Sequence, residues 1–164
     1  MLKRPSWHET GMAMAQVMSR RSVCIYHKVG CVFLDPAHRI VATGYNGPST
    51  GDSHCDEVGC AKVKGDPETG EKKRCRGAHA EMNAIINARH SEDLQGSTLF
   101  VTVLPCYDCM KHLNNLRVAR VVYLEDYERV VDQKVTESEG EVWEFAGRRG
   151  IAIERFKSKR RRKK

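Results

Sequence analysis

A histidine, a glutamate and two cysteines have the types and spacing of a catalytic metal site. Glu81 follows His79 by two positions, and Cys106 and Cys109 follow directly after Pro105. One imidazole and two thiolates provide three ligands to a zinc ion and leave one coordination position open. Because a carboxylate beside such an ion can carry protons, the sequence predicts a zinc-dependent enzyme in which Glu81 is the proton carrier.

Two predicted helix starts would bring these side chains together. Residues 78–89 are rich in helix formers, so the histidine and the glutamate are expected in the first turn of a helix. Residues 99–104 form an apolar run that ends at Pro105, which predicts a buried strand followed by a helix with both cysteines in its first turn. The dipole of that helix would favour the thiolate forms.

Each piece of this pattern has other interpretations when taken alone. A Cys-x-x-Cys pair can be a redox pair or half of a structural zinc site, and a single histidine can be a core residue. A non-enzymatic, zinc-stabilised nucleic-acid-binding module is a further alternative. The glutamate argues against that module, since a purely structural site needs no unligated carboxylate beside the metal.

Length and composition are typical of one compact domain, which we expect over residues 1–156. A chain of 164 residues that is 40% hydrophobic can bury a single core. No apolar run approaches the roughly 18 residues of a membrane span, so no membrane association is expected. Seven cysteines without a signal peptide indicate thiols and metal ligands in a reducing compartment. We therefore expect a cytoplasmic protein.

The positive charge is concentrated at the C-terminal end. Seven of the 28 Lys and Arg residues lie within residues 157–164, so the remaining 21 balance the 21 Asp and Glu residues. A neutral body favours a small-molecule substrate over nucleic acid, except through this basic tail. The tail itself is expected to be a disordered, solvated end.

Helical and strand patterns alternate along the chain, which predicts an α/β fold. A long loop over 45–76, rich in glycine, cysteine and charge, precedes the helix of His79. We expect a three-layer α/β/α sandwich around a mixed five-stranded sheet. Besides the two helices of the catalytic motif, the expected elements are helices over 7–21 and 142–148 and strands over 30–34, 40–44, 99–104, 119–124 and 151–155.

Four segments together resemble the deoxycytidylate (dCMP) deaminases of the cytidine deaminase-like superfamily. The His-Ala-Glu and Pro-Cys-x-x-Cys pieces are typical of the superfamily, and Gly-Tyr-Asn-Gly before a cysteine-bearing loop is typical of the dCMP branch. The resemblance extends roughly over residues 7–155. Leu104 stands where a serine is common and Cys31 where alanine is usual. The four segments are 28–31, 44–47, 79–85 and 105–109.

The resemblance implies zinc-dependent hydrolytic deamination of dCMP to dUMP and ammonia, which supplies dUMP for dTMP synthesis. His79, Cys106 and Cys109 would be the ligands of the catalytic zinc. Glu81 would take a proton from water, pass it to the pyrimidine ring nitrogen and help to protonate the departing amine. The alternative is a deaminase that acts on cytosine or adenine within RNA or DNA, with the basic tail as its anchor.

Substrate-binding residues are expected by analogy with the same enzymes. The amide of Asn46 would offer a donor and an acceptor to a sugar hydroxyl, and Ala80 would lie beside the substrate. The chain has no Gly-rich phosphate cradle, so side chains must hold the phosphate. Arg21, Ser22 and Tyr127 are expected in that role.

Four cysteines outside the catalytic set indicate a second metal site. Cys55, Cys60 and Cys75, together with Cys24, could form a four-thiolate structural zinc site, which some dCMP deaminases similar to this chain carry. His54 could replace one of them. The alternative is that these cysteines are separate free thiols.

Assembly and regulation are implied by the resemblance alone. Similar enzymes are typically homo-hexamers that dCTP with Mg²⁺ activates and dTTP inhibits. Their effector lies near a subunit contact and the segment that corresponds here to Gly44, Tyr45, Asn46 and Gly47.

Overall fold

A computed structural model describes residues 4–65, 69, 71, 73–127, 129–131, 134–136 and 139–157. Most of the basic tail, residues 158–164, lies outside the described residues, so the expectation of disorder there stays a prediction. The helices are α1 Trp7–Ser19, α2 Cys55–Val58, α3 Ala61–Lys64, α4 Ala80–Asn87, α5 Tyr107–Asn115 and α6 Glu139–Arg149, with a 3₁₀ turn at Ser91–Leu94. The strands are β1 Gly30–Leu34, β2 Ile40–Tyr45, β3 Gly47–Pro48, β4 Gly77–Ala78, β5 Thr98–Val103, β6 Arg120–Glu125, β7 Arg129–Val131, β8 Lys134–Thr136 and β9 Ala152–Arg155.

Five strands form one mixed sheet in the order β2-β1-β5-β6-β9. Strand β1 pairs antiparallel with β2 and β5, whereas β5, β6 and β9 are parallel. Parallel neighbours need a crossover connection, and α5 and α6 supply the two that are required. The predicted mixed five-stranded sheet is confirmed.

The sheet is covered on both faces, which confirms the three-layer α/β/α arrangement. Alternate residues of a strand point to opposite faces. Val32 and Phe100 pack with Met12 of α1 on one face. Phe33 and Val101 belong to the larger cluster on the other face, to which α4, α5 and α6 contribute. Both faces are apolar because both are buried, so all five residues of β1 are buried.

The predicted elements are found within a few residues of their expected ends, and two regions hold more structure than expected. The loop over 45–76 contains β3, α2 and α3, each of two to four residues. The polar stretch after β6 contains the hairpin β7–β8, which the sequence did not predict. No helix in the described part of the chain has the length and hydropathy to cross a membrane.

The N-terminus of α4 lies directly against β2 because Gly44 has no side chain. A Cβ atom at Gly44 would lie 2.2 Å from the carbonyl oxygen of Ala80 and 2.5 Å from the amide nitrogen of Ala84. Real Cβ atoms do not approach backbone atoms so closely, so a larger residue would push the helix away from the sheet. Since His79 immediately precedes α4, this contact also sets the position of the histidine.

The substitution Gly44→Ala should therefore destabilise the protein. Overpacking of this kind costs about 1–3 kcal/mol, so we expect the melting temperature to fall by about 3–10 °C for a chain of this size. Scanning calorimetry measures the change. The control is Gly147→Ala in α6, where a Cβ atom meets nothing within 4 Å. The melting temperature of the Gly147→Ala protein should stay level or rise, because alanine is favoured over glycine inside a helix. A Gly44→Ala protein as stable as wild type would contradict the packing argument.

Candidate active site

The three predicted ligand residues converge on one point. Nδ1 of His79 lies 3.4 Å from Sγ of Cys106 and 3.4 Å from Sγ of Cys109. A nitrogen and a sulfur bound to one tetrahedral zinc ion lie about 3.6 Å apart, given bonds of about 2.0 and 2.3 Å. Across the described residues, this is the one group of three His, Cys, Asp or Glu ligand atoms within 4.8 Å of one another. The donor set fits zinc in both chemistry and spacing.

Helix starts hold these ligands in place. His79 is the N-cap of α4, and Cys106 is the N-cap of α5, so each lies one residue before the helix in which it was expected. Cys109 is in the first turn of α5, as predicted. The pKa of Cys106 is lowered to about 4, first because the Cys109 thiol donates a hydrogen bond to it and then because His79 does. The site therefore stabilises negative charge on the Cys106 sulfur, whereas the same hydrogen bond and burial raise the pKa of Cys109.

Glu81 lies beside the ligands without being one of them. It is in the first turn of α4, only 4% of its surface is exposed, and it is absent from the cluster of ligand atoms. Burial raises the pKa of its carboxyl group, and the charge of His79 opposes that rise. A buried carboxyl group of this kind holds a proton more readily than an exposed one. Its position suits the predicted role of proton carrier.

A cavity of about 160 Å³ opens over the ligands. It is about the size of a cavity that holds one aromatic ring. His79, Glu81 and Cys106 form part of its wall, so a bound ring would lie next to the ligands and the carboxyl group. Other residues of the wall include Cys24, His27, Asn46, Gly47, Cys55, Cys60, Lys62, Cys75, Ala80 and Tyr127.

The structure places three of the five expected substrate-binding residues at this cavity. Asn46, Ala80 and Tyr127 line it, whereas Arg21 and Ser22 do not. Ser22 is buried, and its hydroxyl accepts a hydrogen bond from the amide of Cys24. The guanidinium group of Arg21 lies over the ring of Tyr45, 5.9 Å from its centroid. The geometry thus gives no support to a phosphate-binding role for Arg21 or Ser22.

Asn46 already has partners within the chain. Its Oδ1 accepts from the amide of Val29 at 2.8 Å, and its Nδ2 donates to the carbonyl oxygen of His27 at 2.8 Å. One N–H and one lone pair of the amide remain available for a ligand. Asn46 therefore holds the segment before β1 against the cavity, in addition to any contact with a ligand.

Of the four residues expected near an effector, two contact helix α4 and two line the cavity. Gly44 is buried against α4, and the carbonyl oxygen of Tyr45 accepts a hydrogen bond from Asn83 at 2.8 Å. Asn46 and Gly47 instead line the cavity above the ligands. Gly44 thus has a structural function, and the effector role of the segment stays a prediction.

The four cysteines outside the catalytic set, Cys24, Cys55, Cys60 and Cys75, all line the same cavity. In the described part of the chain, no three of their sulfur atoms lie within 4.8 Å of one another, so the structure gathers them without closing a metal site. The sulfur of Cys24 accepts from the amide of His27, and that of Cys75 from the amide of Gly77, each at 3.4 Å. Burial raises the pKa of Cys55, and a hydrogen bond from Arg76 opposes this. Nδ1 of His54, the alternative fourth ligand, lies 3.9 Å from Oε1 of Glu57, and His54 does not line the cavity.

Sequence reasoning missed several residues of the cavity, among them His27 and Lys62. His27 lies between the first helix and the first strand, and Lys62 lies on α3 within the loop. Neither belongs to a motif, and the only signal was the charge of the loop. The position of Lys62 depends on how the loop folds, and His27 is held by a hydrogen bond from Asn46 to its carbonyl oxygen; residue spacing encodes neither contact.

The chain is similar to known deaminases along most of its length. Residues 5–125 match the family described as the cytidine and deoxycytidylate deaminase zinc-binding region. A deoxycytidylate deaminase of Mycobacterium phage D29 is 36% identical over 127 residues, which cover 74% of this chain and 97% of that protein. The enzyme of that name from Schizosaccharomyces pombe is 35% identical over 125 residues, or 76% of this chain. The chain spans 38% of the length of the latter.

A solved structure agrees with the fold over nearly the whole chain. The dCMP deaminase of cyanophage S-TIM5, in complex with dCMP and dUMP, superimposes with a TM-score of 0.70 at 27% identity. The superposition covers 94% of this chain and 100% of the phage protein.

Proposed function

Because the chain belongs to the cytidine and deoxycytidylate deaminase zinc-binding family, we propose that it hydrolyses dCMP to dUMP and ammonia. One observation carries the proposal: a histidine and two thiols at zinc-binding distances share a ring-sized cavity with a buried carboxyl group. The phage relative whose fold agrees with this chain has been solved with dCMP and dUMP. The dUMP formed would supply dTMP synthesis.

The residues at the cavity divide the reaction between them. His79, Cys106 and Cys109 would hold the zinc ion, which activates a water molecule at neutral pH when it is bound. Glu81 accepts a proton as the water oxygen attacks the ring carbon that carries the amine, and donates it to the adjacent ring nitrogen. Glu81 then takes the remaining proton from the added hydroxyl group and passes it to the amine as the carbon–nitrogen bond breaks, so that ammonia leaves and the carbonyl group remains.

The remaining wall of the cavity would bind the rest of the substrate. Ala80 and Asn46 flank the ligands, and we propose that they contact the base and the sugar. Tyr127 lines the same cavity, close to the ring of His27 at a centroid distance of 6.3 Å, and is proposed to contact the nucleotide. Arg21 and Ser22 lie outside this set.

A comparison of four substrates tests the reaction. Ammonia release is measured with dCMP, CMP, deoxycytidine and a cytosine-bearing oligonucleotide under the same conditions. We expect dCMP to give the highest kcat/KM, since the cavity accepts one ring and the chain outside the basic tail is formally neutral. Faster deamination of the oligonucleotide would replace this proposal with that of a nucleic-acid deaminase.

The substitution Glu81→Gln should abolish turnover while zinc stays bound. The amide cannot carry the proton, so we expect kcat to fall at least about 10²-fold. Zinc content, measured by plasma emission spectrometry, should equal that of wild type because Glu81 is not a ligand. The control is Glu92→Gln, an exposed residue in the 3₁₀ turn. Near-normal activity of the Glu81 variant would exclude the proton-carrier role.

We further propose that Cys24, Cys55, Cys60 and Cys75 bind a second, structural zinc ion. All four line the cavity, which supports this, as do the amide hydrogen bonds to two of the sulfurs. The chain would have to move to bring the four sulfurs to zinc-binding distances.

Purified protein should then contain about two zinc ions per chain. Cys60→Ser should remove one of them and lower the melting temperature, because metal binding contributes to folding. Cys31→Ala is the control: Cys31 is fully buried in β1 and outside both cysteine sets, so both ions should remain. One zinc per chain, unchanged by Cys60→Ser, would show that the loop cysteines are free thiols.

Assembly, regulation and location are proposed on the resemblance alone. We propose a cytoplasmic homo-hexamer that dCTP with Mg²⁺ activates and dTTP inhibits, with one deaminase domain over residues 1–156. The basic residues 157–164 would contribute little to catalysis and would be the only part of the chain to contact nucleic acid.

A further inference from the structure

The cavity has a buried acidic end and an exposed basic residue. Among the described residues that line it, Glu81 is the only acidic one and Lys62 the only lysine or arginine. Glu81 is almost completely buried, whereas Lys62 is exposed. A ligand that fills the cavity would therefore meet the carboxyl group at its inner end and the ammonium group where the cavity meets solvent.

Lys62 is close to the catalytic centre although it lies on the loop. Lys62 lines the same cavity as His79, Glu81 and Cys106. Lys62 is the second residue of α3, which begins directly after Cys60. The loop thus brings the side chain of Lys62 to the cavity that two of the ligand residues also line.

The ammonium group of Lys62 is available to a ligand. None of the ion pairs between described residues involves it, and no hydrogen bond holds it. Lys64, on the same helix, is different because its Nζ donates to the carbonyl oxygen of Val58 at 3.3 Å. A long, unpaired side chain at the rim of a cavity can reach a ligand group that lies in the open mouth.

We propose that Lys62 binds the 5′-phosphate of the nucleotide and so sets the preference for nucleotide over nucleoside. The proposal rests on the proposed function, since it assumes that the ring lies at the buried end beside Glu81. A cavity of about 160 Å³ holds little more than the ring, so sugar and phosphate extend toward the exposed end. The ammonium group and the dianionic phosphate would form a charge-assisted hydrogen bond there.

The test compares ligands that differ only in the phosphate. Binding of dUMP and of deoxyuridine is measured by titration calorimetry, and steady-state kinetics are measured with dCMP and deoxycytidine. For Lys62→Gln we expect the Kd of dUMP and the KM of dCMP to rise about 10- to 100-fold, the usual effect of losing a hydrogen bond to a charged group. Binding of deoxyuridine and turnover of deoxycytidine should match wild type.

Two further variants separate charge at the cavity from charge elsewhere. Lys62→Arg keeps the positive charge and should retain most of the affinity for dUMP. Lys64→Gln removes the same charge from the same helix, outside the cavity, and should leave both ligands unaffected.

Other outcomes would contradict either the phosphate assignment or the proposed reaction. An equal loss of dUMP and deoxyuridine binding in Lys62→Gln, or no loss of dUMP binding, would overturn the phosphate assignment. A wild-type protein that binds dUMP through Lys62 but releases no ammonia from dCMP would overturn the proposed reaction and leave the phosphate site standing.

Discussion

The N-termini of α4 and α5 meet at the side chains of His79, Cys106 and Cys109, and the packing of the core keeps both helix starts at this point. His79 caps α4 and Cys106 caps α5, and their ligand atoms are 3.4 Å apart. Each helix start carries partial positive charge, so negative sulfur between them offsets a repulsion that would separate the helices. Packing maintains the same approach, since Gly44 allows α4 to lie against β2, and the short segment between β5 and α5 contains Pro105.

The parts of the site that could be predicted are those that depend on local order in the chain. Glu81 and the ligand residues lie within two positions of a helix start or in its first turn, where a strand end, a proline or a run of helix formers marks the boundary. Period-two and buried apolar patterns likewise indicated all five strands of the main sheet. For a layered α/β fold whose parallel strands are joined by crossover helices, these local signals largely determine which ends meet.

The parts that could not be predicted depend on contacts between distant segments. Asn46 is predicted to contact a sugar, and the sequence did not show that its amide also bonds to Val29 and His27, 17 and 19 residues away. Lys62 reaches the cavity only because the loop folds back over it. The strands of the hairpin β7–β8 have three residues each, whereas an alternating pattern needs at least about four residues to indicate a strand.

The catalytic centre and the loop that borders it are stabilised in different ways. In residues 49–76, as far as the structure describes them, only Cys55 and Ala61 are buried, so apolar burial can offset little of the entropy lost on ordering the loop. Polar contacts are present instead, among them the bond from Arg76 to the carbonyl oxygen of Gly59 at 3.0 Å. A metal ion on the loop thiols would add to these contacts. Because the core does not depend on this loop, Lys62 and its neighbours can change what the cavity accepts while the sheet and the two helix starts keep the reactive residues in place.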